Sequence, residues 1–184
     1  MSGSTFIIET ERLGLRLWQD TDVIPFAIMN QKDTVMKYFT NKLTSEQSAS
    51  FIEKIKKHFD EKGYGLWAVE LKVTHEFIGF IGFYTPEFKA YFTPCVEIGW
   101  RLDDQFWHKG YATEGAKAVL AYGVDVLKLS EIVSFTSEIN SPSIKVMKKI
   151  GLKKEGLFEH PGIKQGIKPE NPLRPHVLYK LQTQ

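Results

Sequence analysis

Cysteine is nearly absent from this sequence, which has only Cys95 among its 184 residues. A single cysteine excludes an internal disulfide framework and is compatible with a reducing compartment. Long hydrophobic runs are also missing: the longest uncharged stretch, Phe77 to Pro86, is half the roughly 20 residues of a membrane-spanning helix. The first residues, up to Glu9, have neither the basic segment nor the apolar stretch of a signal peptide. We therefore expect a cytoplasmic protein with no membrane partner.

A large excess of one charge is missing as well. Lysine and arginine total 24 against 22 acidic residues, so the net charge is only +2. A histone-like nucleic-acid binder would carry a large basic excess, so this balance argues against a nucleic-acid partner. The five histidines show no spacing typical of metal ligands, and we expect no metal.

The residues that are present describe an ordinary globular protein, 42% hydrophobic and 13% aromatic. At this length we expect one domain spanning residues 1–184, with residues 1–5 flexible, and burial of roughly 70% of the unfolded surface. Such a chain is expected to be a monomer or a homodimer.

The hydrophobic pattern predicts a mixed α/β (α+β) fold. Leu13, Leu15 and Leu17 alternate with polar or small residues, as in a half-buried strand. The segment from Thr44 to Gln47 fits a capping box at the start of a helix. The predicted strands span 12–18, 64–71, 77–84, 93–102, 131–137, 152–158 and 176–181, and the predicted helices span 20–30, 44–63, 111–128 and 141–151. The three strands between 64 and 102 predict an antiparallel meander, and 159–175 predicts a loop.

The most informative segment runs from a strand, Val96 to Leu102, through a short loop to Trp107 to Glu114, where a turn leads into the predicted helix at Tyr111. The first amides of a helix have no partner within the helix, and the helix dipole places partial positive charge there. Gly110 and Ala112 would let a phosphate approach the backbone, and Lys109 adds charge. The alternative is an ordinary strand-to-helix turn that contains a glycine. Two other nucleotide-binding patterns, G-x-x-x-x-G-K-[ST] and G-x-G-x-x-G, are excluded.

The same segment, W-H-K-G-Y-A-T-E from Trp107 to Glu114, resembles the pyrophosphate-binding motif of the GNAT superfamily of N-acetyltransferases. It is most similar to the branch of ribosomal-protein N-terminal (Rim-type) acetyltransferases. Asn140 to Ser143 and Met147 to Leu152 match the downstream signature, and Glu11 to Leu13 and Pro172 to Tyr179 also resemble this branch. The resemblance implies a single-domain fold with a central, mostly antiparallel twisted sheet, which splays at the cofactor strand and is flanked by about four helices.

The resemblance also implies acetyl-CoA as co-substrate and assigns residues to it. The backbone of the cofactor strand would pair with the pantetheine arm, the turn amides would hold the pyrophosphate, Asn140 would contact the amide-bearing arm, and Ser143 would lie near the thioester sulfur. The implied cofactor-binding residues are Trp100, Arg101, Leu102, His108, Lys109, Gly110, Tyr111, Ala112, Thr113, Asn140, Ser143 and Met147. Two positions depart from the family pattern: Trp107 replaces a polar residue, and Met147 replaces the tyrosine that serves many relatives as general acid.

For catalysis, the resemblance and the chemistry of acetyl transfer point to Glu97 and Ser143. Glu97 lies on the cofactor strand and is the candidate general base, acting through a water; alternatively it is a solvated strand carboxylate or a partner for Arg101. Because Met147 cannot donate a proton, Ser143 or a water would protonate the leaving thiolate, or the thiolate leaves unassisted.

The predicted function is transfer of an acetyl group to a primary amine, either a protein N-terminal α-amine or a small-molecule amine. The alternatives are a non-catalytic coenzyme A-binding sensor and an RNA- or ribosome-binding module. His160, Arg174 and His176 flank the long loop and either bind substrate or anchor the loop.

Overall fold

The computed structural model describes residues 6–164 and 170–181, so the expected flexibility of residues 1–5 lies outside the described residues. The strands are β1 (Ile8–Glu9), β2 (Leu13–Arg16), β3 (Leu66–Leu71), β4 (Phe77–Tyr84), β5 (Glu97–Leu102), β6 (Val133–Ser137), β7 (Lys153–Glu159) and β8 (Pro175–Lys180). The helices are α1 (Val23–Asn30), α2 (Asp33–Met36), α3 (Ser45–Lys62), α4 (Tyr111–Asp125), α5 (Ser141–Lys149) and α6 (Pro161–Lys164).

The eight strands form one sheet in the order β1-β2-β3-β4-β5-β6-β8-β7. Neighbouring strands are antiparallel except for β5 and β6, which run parallel. The predicted meander is therefore confirmed in β3, β4 and β5, where Trp67 pairs with Ile81 and Ile81 with Trp100. A mostly antiparallel sheet in a mixed α/β fold is confirmed as well.

Local signals in the sequence explain where the long helices begin and end. Thr44 accepts a hydrogen bond from the Gln47 amide and completes the predicted capping box of α3. The helix ends at Gly63, whose φ of 75° lies in the left-handed region that glycine adopts most readily. Asn140 caps α5 by accepting from the Ser143 amide.

Several element boundaries differ from the prediction. Strand β1 forms the edge of the sheet next to β2, and at two residues it is too short for periodicity to reveal. Strand β5 begins at Glu97 rather than at residue 93, since Pro94 has no amide to donate to a neighbouring strand. The short helices α2 and α6 were not predicted, and α6 lies within the predicted 159–175 loop. Residues 165–169 of that loop lie outside the described residues.

The two faces of the sheet carry separate cores. On one face, α4 and α5 cover a cluster that includes Ile98, Leu102 and Met147. On the other face, α1, α2 and α3 cover a cluster that includes Phe26, Ile52 and Phe80. Among the described residues, no helix has both the length and the apolar character needed to cross a membrane.

Candidate active site

The sheet opens between its two parallel strands. Strands β5 and β6 pair only where Glu97 lies opposite Val133, and the Val133 amide donates to the Val96 carbonyl over 2.9 Å. Toward the carboxyl ends of β5 and β6, no further pairing joins them in the part of the chain that the structure describes. The splay expected at the cofactor strand is therefore present, and it leaves an open edge along β5.

The direction of the peptide groups decides which residues face this opening. The Asp103 amide donates to the Ile78 carbonyl of β4 over 2.9 Å. Because peptide groups along a strand point alternately to its two sides, Arg101 directs its amide and carbonyl to Phe80, whereas Trp100 and Leu102 direct theirs to the open edge. The expected backbone contact therefore fits Trp100 and Leu102 but not Arg101, whose peptide groups pair with β4.

One open-edge group already has a partner. The Trp107 indole Nε1 donates to the Leu102 carbonyl over 2.8 Å. Trp107, the departure from the family pattern, thus fixes the turn against the end of β5. Within the described part of the chain, no hydrogen-bond partner is found for the Leu102 amide or for either peptide group of Trp100.

The turn that follows carries two residues in the left-handed region, His108 with φ 61° and Gly110 with φ 84°. Gly110 is the N-cap of α4 and supplies no side-chain cap. In residues 6–164 and 170–181, no hydrogen-bond partner is found for the amides of Tyr111, Ala112 and Thr113. Unpaired amides at a helix start, after residues of left-handed conformation, form a cradle suited to an anionic group such as a pyrophosphate.

A clamp from the sheet edge holds this turn. Arg12 Nε donates to Glu114 Oε2 over 2.7 Å, and Arg12 Nη1 donates to the Lys109 carbonyl over 3.0 Å. Thr10 Oγ1 donates to Glu114 Oε1 over 2.6 Å, and the Arg12 guanidinium lies 4.4 Å from the centre of the Tyr111 ring. In the sequence, Arg12 and Glu114 belong to two separate motifs, and the fold brings them into contact.

The predicted residues on α5 occupy different environments. Asn140 is buried, and its side chain accepts from the Ser143 amide over 3.3 Å and donates to Thr136 Oγ1 over 2.9 Å. Ser143 is partly buried in the first turn of α5. Met147 lies in the core with 1% of its surface exposed, so it packs the fold rather than lining an open surface.

Glu97 lies at the closed end of the opening. Its side chain is partly buried, and Oε1 lies 3.7 Å from the position that a Cβ on Gly99 would occupy. Within the described ranges its carboxylate has no ion-pair or hydrogen-bond partner, so the alternative of a partner for Arg101 is not observed. Burial raises the pKa of the Glu97 carboxyl to about 8. An acid with a pKa near the working pH is suited to proton transfer.

Tyr84 was missed by the sequence analysis. It lies directly opposite Glu97 on β4, and its ring stacks on His58 of α3 at a centroid distance of 4.7 Å. Burial, and to a lesser extent the carboxylates of Glu87 and Glu97, raises the pKa of the Tyr84 phenol. No local signal in the sequence pairs residues 84 and 97, because the pairing depends on strand register.

Along β5, alternate side chains share one face of the sheet. Glu97, Gly99 and Arg101 point to the side covered by α1, α2 and α3, which we call the Glu97 face. There Arg101 Nη1 donates to Asn30 Oδ1 over 2.8 Å. The guanidinium also lies 4.2 Å from the centre of the Phe39 ring.

The residues on either side of the loop before β8 contact one another. Arg174 Nη2 donates to Glu159 Oε2 over 3.1 Å, and the His160 and His176 rings lie 5.1 Å apart in an aromatic cluster with Phe158. These contacts favour the interpretation that His160, Arg174 and His176 anchor the two ends of the loop over the interpretation that they bind substrate. The described parts of the chain bring together no group of three or more residues suited to a metal ion.

Comparison with known proteins gives a consistent result. Residues 12–153 match the family model described as the acetyltransferase (GNAT) domain. The chain is 35% identical over 153 residues to the uncharacterized N-acetyltransferase YnaD of Bacillus subtilis (strain 168), covering 83% of this chain and 85% of that protein.

Solved structures of acetyltransferases are similar to this chain as well. The acetyltransferase (GNAT family) from Bacillus anthracis is similar at 30% identity with a TM-score of 0.75, covering 95% of this chain and 96% of that one. RimJ of Mycobacterium smegmatis, in complex with CoA-disulfide, shares the fold at 18% identity and a TM-score of 0.71, covering 92% and 81%. The opening along β5, the amide cradle and these matches lead to one conclusion: the chain belongs to the GNAT family and is an N-acetyltransferase.

Proposed function

We propose that the protein transfers the acetyl group of acetyl-CoA to a primary amine. The observation that carries this proposal is a path of backbone groups without hydrogen-bond partners in the described chain: the amides of Tyr111 to Thr113, then the Leu102 amide and the peptide groups of Trp100. The path leads to the Glu97 side chain at the start of β5. This path has an anion cradle at one end and a titratable carboxyl at the other.

The residues along the path fit the coenzyme. The amides from His108 to Thr113 would hold the pyrophosphate, with Gly110 allowing close approach and Lys109 adding charge. Peptide groups of Trp100 and the Leu102 amide would pair with the pantetheine arm. Bound acetyl-CoA would supply the thioester that carries the acetyl group. Asn140, already fixed by two hydrogen bonds, retains one N–H and one lone pair for the arm.

Glu97 acts as the general base in this proposal. With its pKa near 8, its carboxylate form accepts the amine proton through a water, which leaves the amine nitrogen with the lone pair that attacks the thioester carbonyl. Ser143, or a water beside it, gives a proton to the leaving thiolate. Met147 is buried and has no proton to give.

The acceptor is a primary amine, and a protein N-terminal α-amine of the Rim type is one candidate. It is supported by the likeness of the Trp107 to Glu114 segment to that branch and by the shared fold with a RimJ structure. A neutral α-amine is also easier to obtain at pH 7 than a neutral lysine amine, since their pKa values are near 8 and 10.4. A cytoplasmic location is part of the proposal and is supported by the single cysteine.

Release of free coenzyme A from acetyl-CoA, measured with N-terminal peptides, aminoglycosides, polyamines and amino acids as acceptors, tests the proposal. Acceptor-dependent release is expected with at least one class. Binding of acetyl-CoA without release in any class would favour the coenzyme A-binding sensor. Salt-dependent RNA binding without release would favour the ribosome-binding module.

A further inference from the structure

On the Glu97 face, the guanidinium of Arg101 is only partly paired. A guanidinium has five N–H donors, and in the described residues only one hydrogen bond is made, from Nη1 to Asn30 Oδ1. Its Nε is buried without a partner, and no carboxylate of the described chain lies within ion-pair distance. Because a partly buried charge is costly when it lacks a partner, the free donors of Arg101 are suited to binding an anion.

The surroundings of Arg101 are aromatic rather than acidic. The guanidinium lies 4.2 Å from the centre of the Phe39 ring, 5.5 Å from that of Phe80 and 5.9 Å from that of Phe51. Ring faces hold a cation in place without neutralising it. Phe80 is buried, whereas Phe39 is 41% exposed. The guanidinium therefore contacts a buried ring on one side and a partly exposed ring on another.

Asn30 fixes the guanidinium to the helices. Asn30 is fully buried and also donates from Nδ2 to Ser48 Oγ of α3 over 3.1 Å. Since the Arg101 backbone is paired with Phe80 of β4, both ends of the arginine are held and its remaining donors have a fixed direction. The arrangement is pre-organised for an anion with several acceptor atoms, such as a carboxylate.

The position of Arg101 relative to Glu97 gives the size of the ligand. Glu97 Oε1 lies 3.7 Å from the position that a Cβ on Gly99 would occupy. The backbone of Arg101 lies two residues beyond Gly99 on the same face, roughly 7 Å further along the strand. An amine next to Glu97 and an anion next to Arg101 would therefore be separated by a few bonds.

We propose that the acetyl acceptor is a small amine that also carries a carboxylate, and that Arg101 binds this carboxylate while the amine lies at Glu97. The inference rests on the proposed function and narrows its acceptor class. It favours amino acids over polyamines and aminoglycosides, whose additional positive charges would be repelled by Arg101.

The test compares ω-amino acids, from 4-aminobutyrate to 6-aminohexanoate, with their carboxamides. Each pair has the same chain, so the two molecules differ at the end that would meet Arg101. We expect kcat/KM at least 10-fold higher for the best acid than for its amide, and we expect Arg101→Gln to reduce this ratio toward one. Arg101→Lys keeps the charge but loses the planar fork and is expected to give an intermediate ratio.

Lys42→Gln is the matched control, because Lys42 is an exposed cation whose partner is Asp33 on α2. It is expected to keep the wild-type ratio. The melting-temperature shift with acetyl-CoA, measured on each variant, reports separately on the coenzyme site.

Equal use of acids and amides by the wild-type protein, or a preference for polyamines, would overturn this inference and leave the proposed function standing. An unchanged ratio in Arg101→Gln would also overturn it. No turnover of any amine, despite acetyl-CoA binding, would instead overturn the proposed function. Because the wild-type comparison is decisive by itself, a poorly folding Arg101→Gln protein does not prevent the test.

Discussion

Glu97 and Arg101 show how the chemistry of single residues is set by distant parts of the chain. Both are ordinary charged residues of a strand in the sequence, but in the fold both side chains are partly buried on the Glu97 face. Burial raises the pKa of the Glu97 carboxyl to about 8 and lowers the pKa of the Arg101 guanidinium to about 10. Both shifts disfavour the charged form of the side chain. Strongly shifted pKa values of this kind cluster at functional sites.

Glu97→Gln is expected to change the pH dependence of activity. The wild-type kcat/KM should rise with pH through an apparent pKa near 8, because the base must lose its proton. Repeating the pH profile with acceptors of different amine pKa distinguishes the titration of Glu97 from that of the acceptor amine, because only the latter changes with the acceptor. The variant should lose the limb, whereas Glu138→Gln, at an exposed carboxylate beyond β6, should keep it. An unchanged limb in Glu97→Gln would move the base elsewhere.

The same variant is expected to change stability. The folded protein binds the Glu97 proton more tightly than the unfolded chain, so stability falls as pH rises from about 4.5 to about 8. Glu97→Gln removes this dependence, and its melting temperature should exceed that of the wild type at pH 9 but not at pH 4. Equal melting temperatures at pH 9 would show that the carboxyl is not destabilised by burial.

Ser143→Ala is expected to lower kcat by roughly 10- to 100-fold, less than a full general-acid contribution, because a thiolate is a tolerable leaving group. Acetyl-CoA affinity should change little. Ser141→Ala, at an exposed serine in the same first turn of α5, is the control and should keep the wild-type kcat. A normal kcat in Ser143→Ala would mean that water or unassisted departure suffices.

At the scale of elements, two features form the site: the separation of β5 from β6 and the N-terminus of α4. The turn before α4 was readable from the sequence, since Gly110 and the following small residue mark a helix start that admits a phosphate. The clamp of Arg12 on Glu114 was not readable, because the two residues are 102 positions apart and meet only through the sheet.

Gly110→Glu is expected to abolish acetyl-CoA binding, because the carboxylate would occupy the pyrophosphate cradle and repel the phosphates. Gly151→Glu is the matched control: Gly151 has a similar φ of 92°, follows the end of α5 and has open space around it. Both substitutions place a side chain on a residue in the left-handed region, at a cost of roughly 1–2 kcal/mol. Only Gly110→Glu should lose the melting-temperature shift with acetyl-CoA. Loss of the shift in both variants would show that backbone strain, rather than occupation of the cradle, prevents binding.

At the scale of the whole molecule, the sequence predicted most of the element order but not the sheet that joins it. Amphipathic spacing and caps located α3 and α5, and an alanine-rich composition located α4. Alternation located β2, and strand-like runs between turn residues located the central strands. Strand order is a long-range property, so the parallel contact of β5 with β6 and the position of Tyr84 opposite Glu97 could not be read locally. The Arg101–Asn30 contact joins residues 71 positions apart and was invisible for the same reason.

The central claim is that unpaired backbone amides of β5 and α4 hold the coenzyme. Residue-resolved amide hydrogen exchange, with and without saturating acetyl-CoA, tests it most directly. The account predicts that acetyl-CoA protects the amides of Trp100, Leu102 and Tyr111 to Thr113, and leaves the exchange of Arg101, already bonded to β4, nearly unchanged. ATP, which carries phosphates but no pantetheine arm, should protect at most the turn. Unaltered exchange at Trp100 and Leu102 in saturating acetyl-CoA would contradict the account.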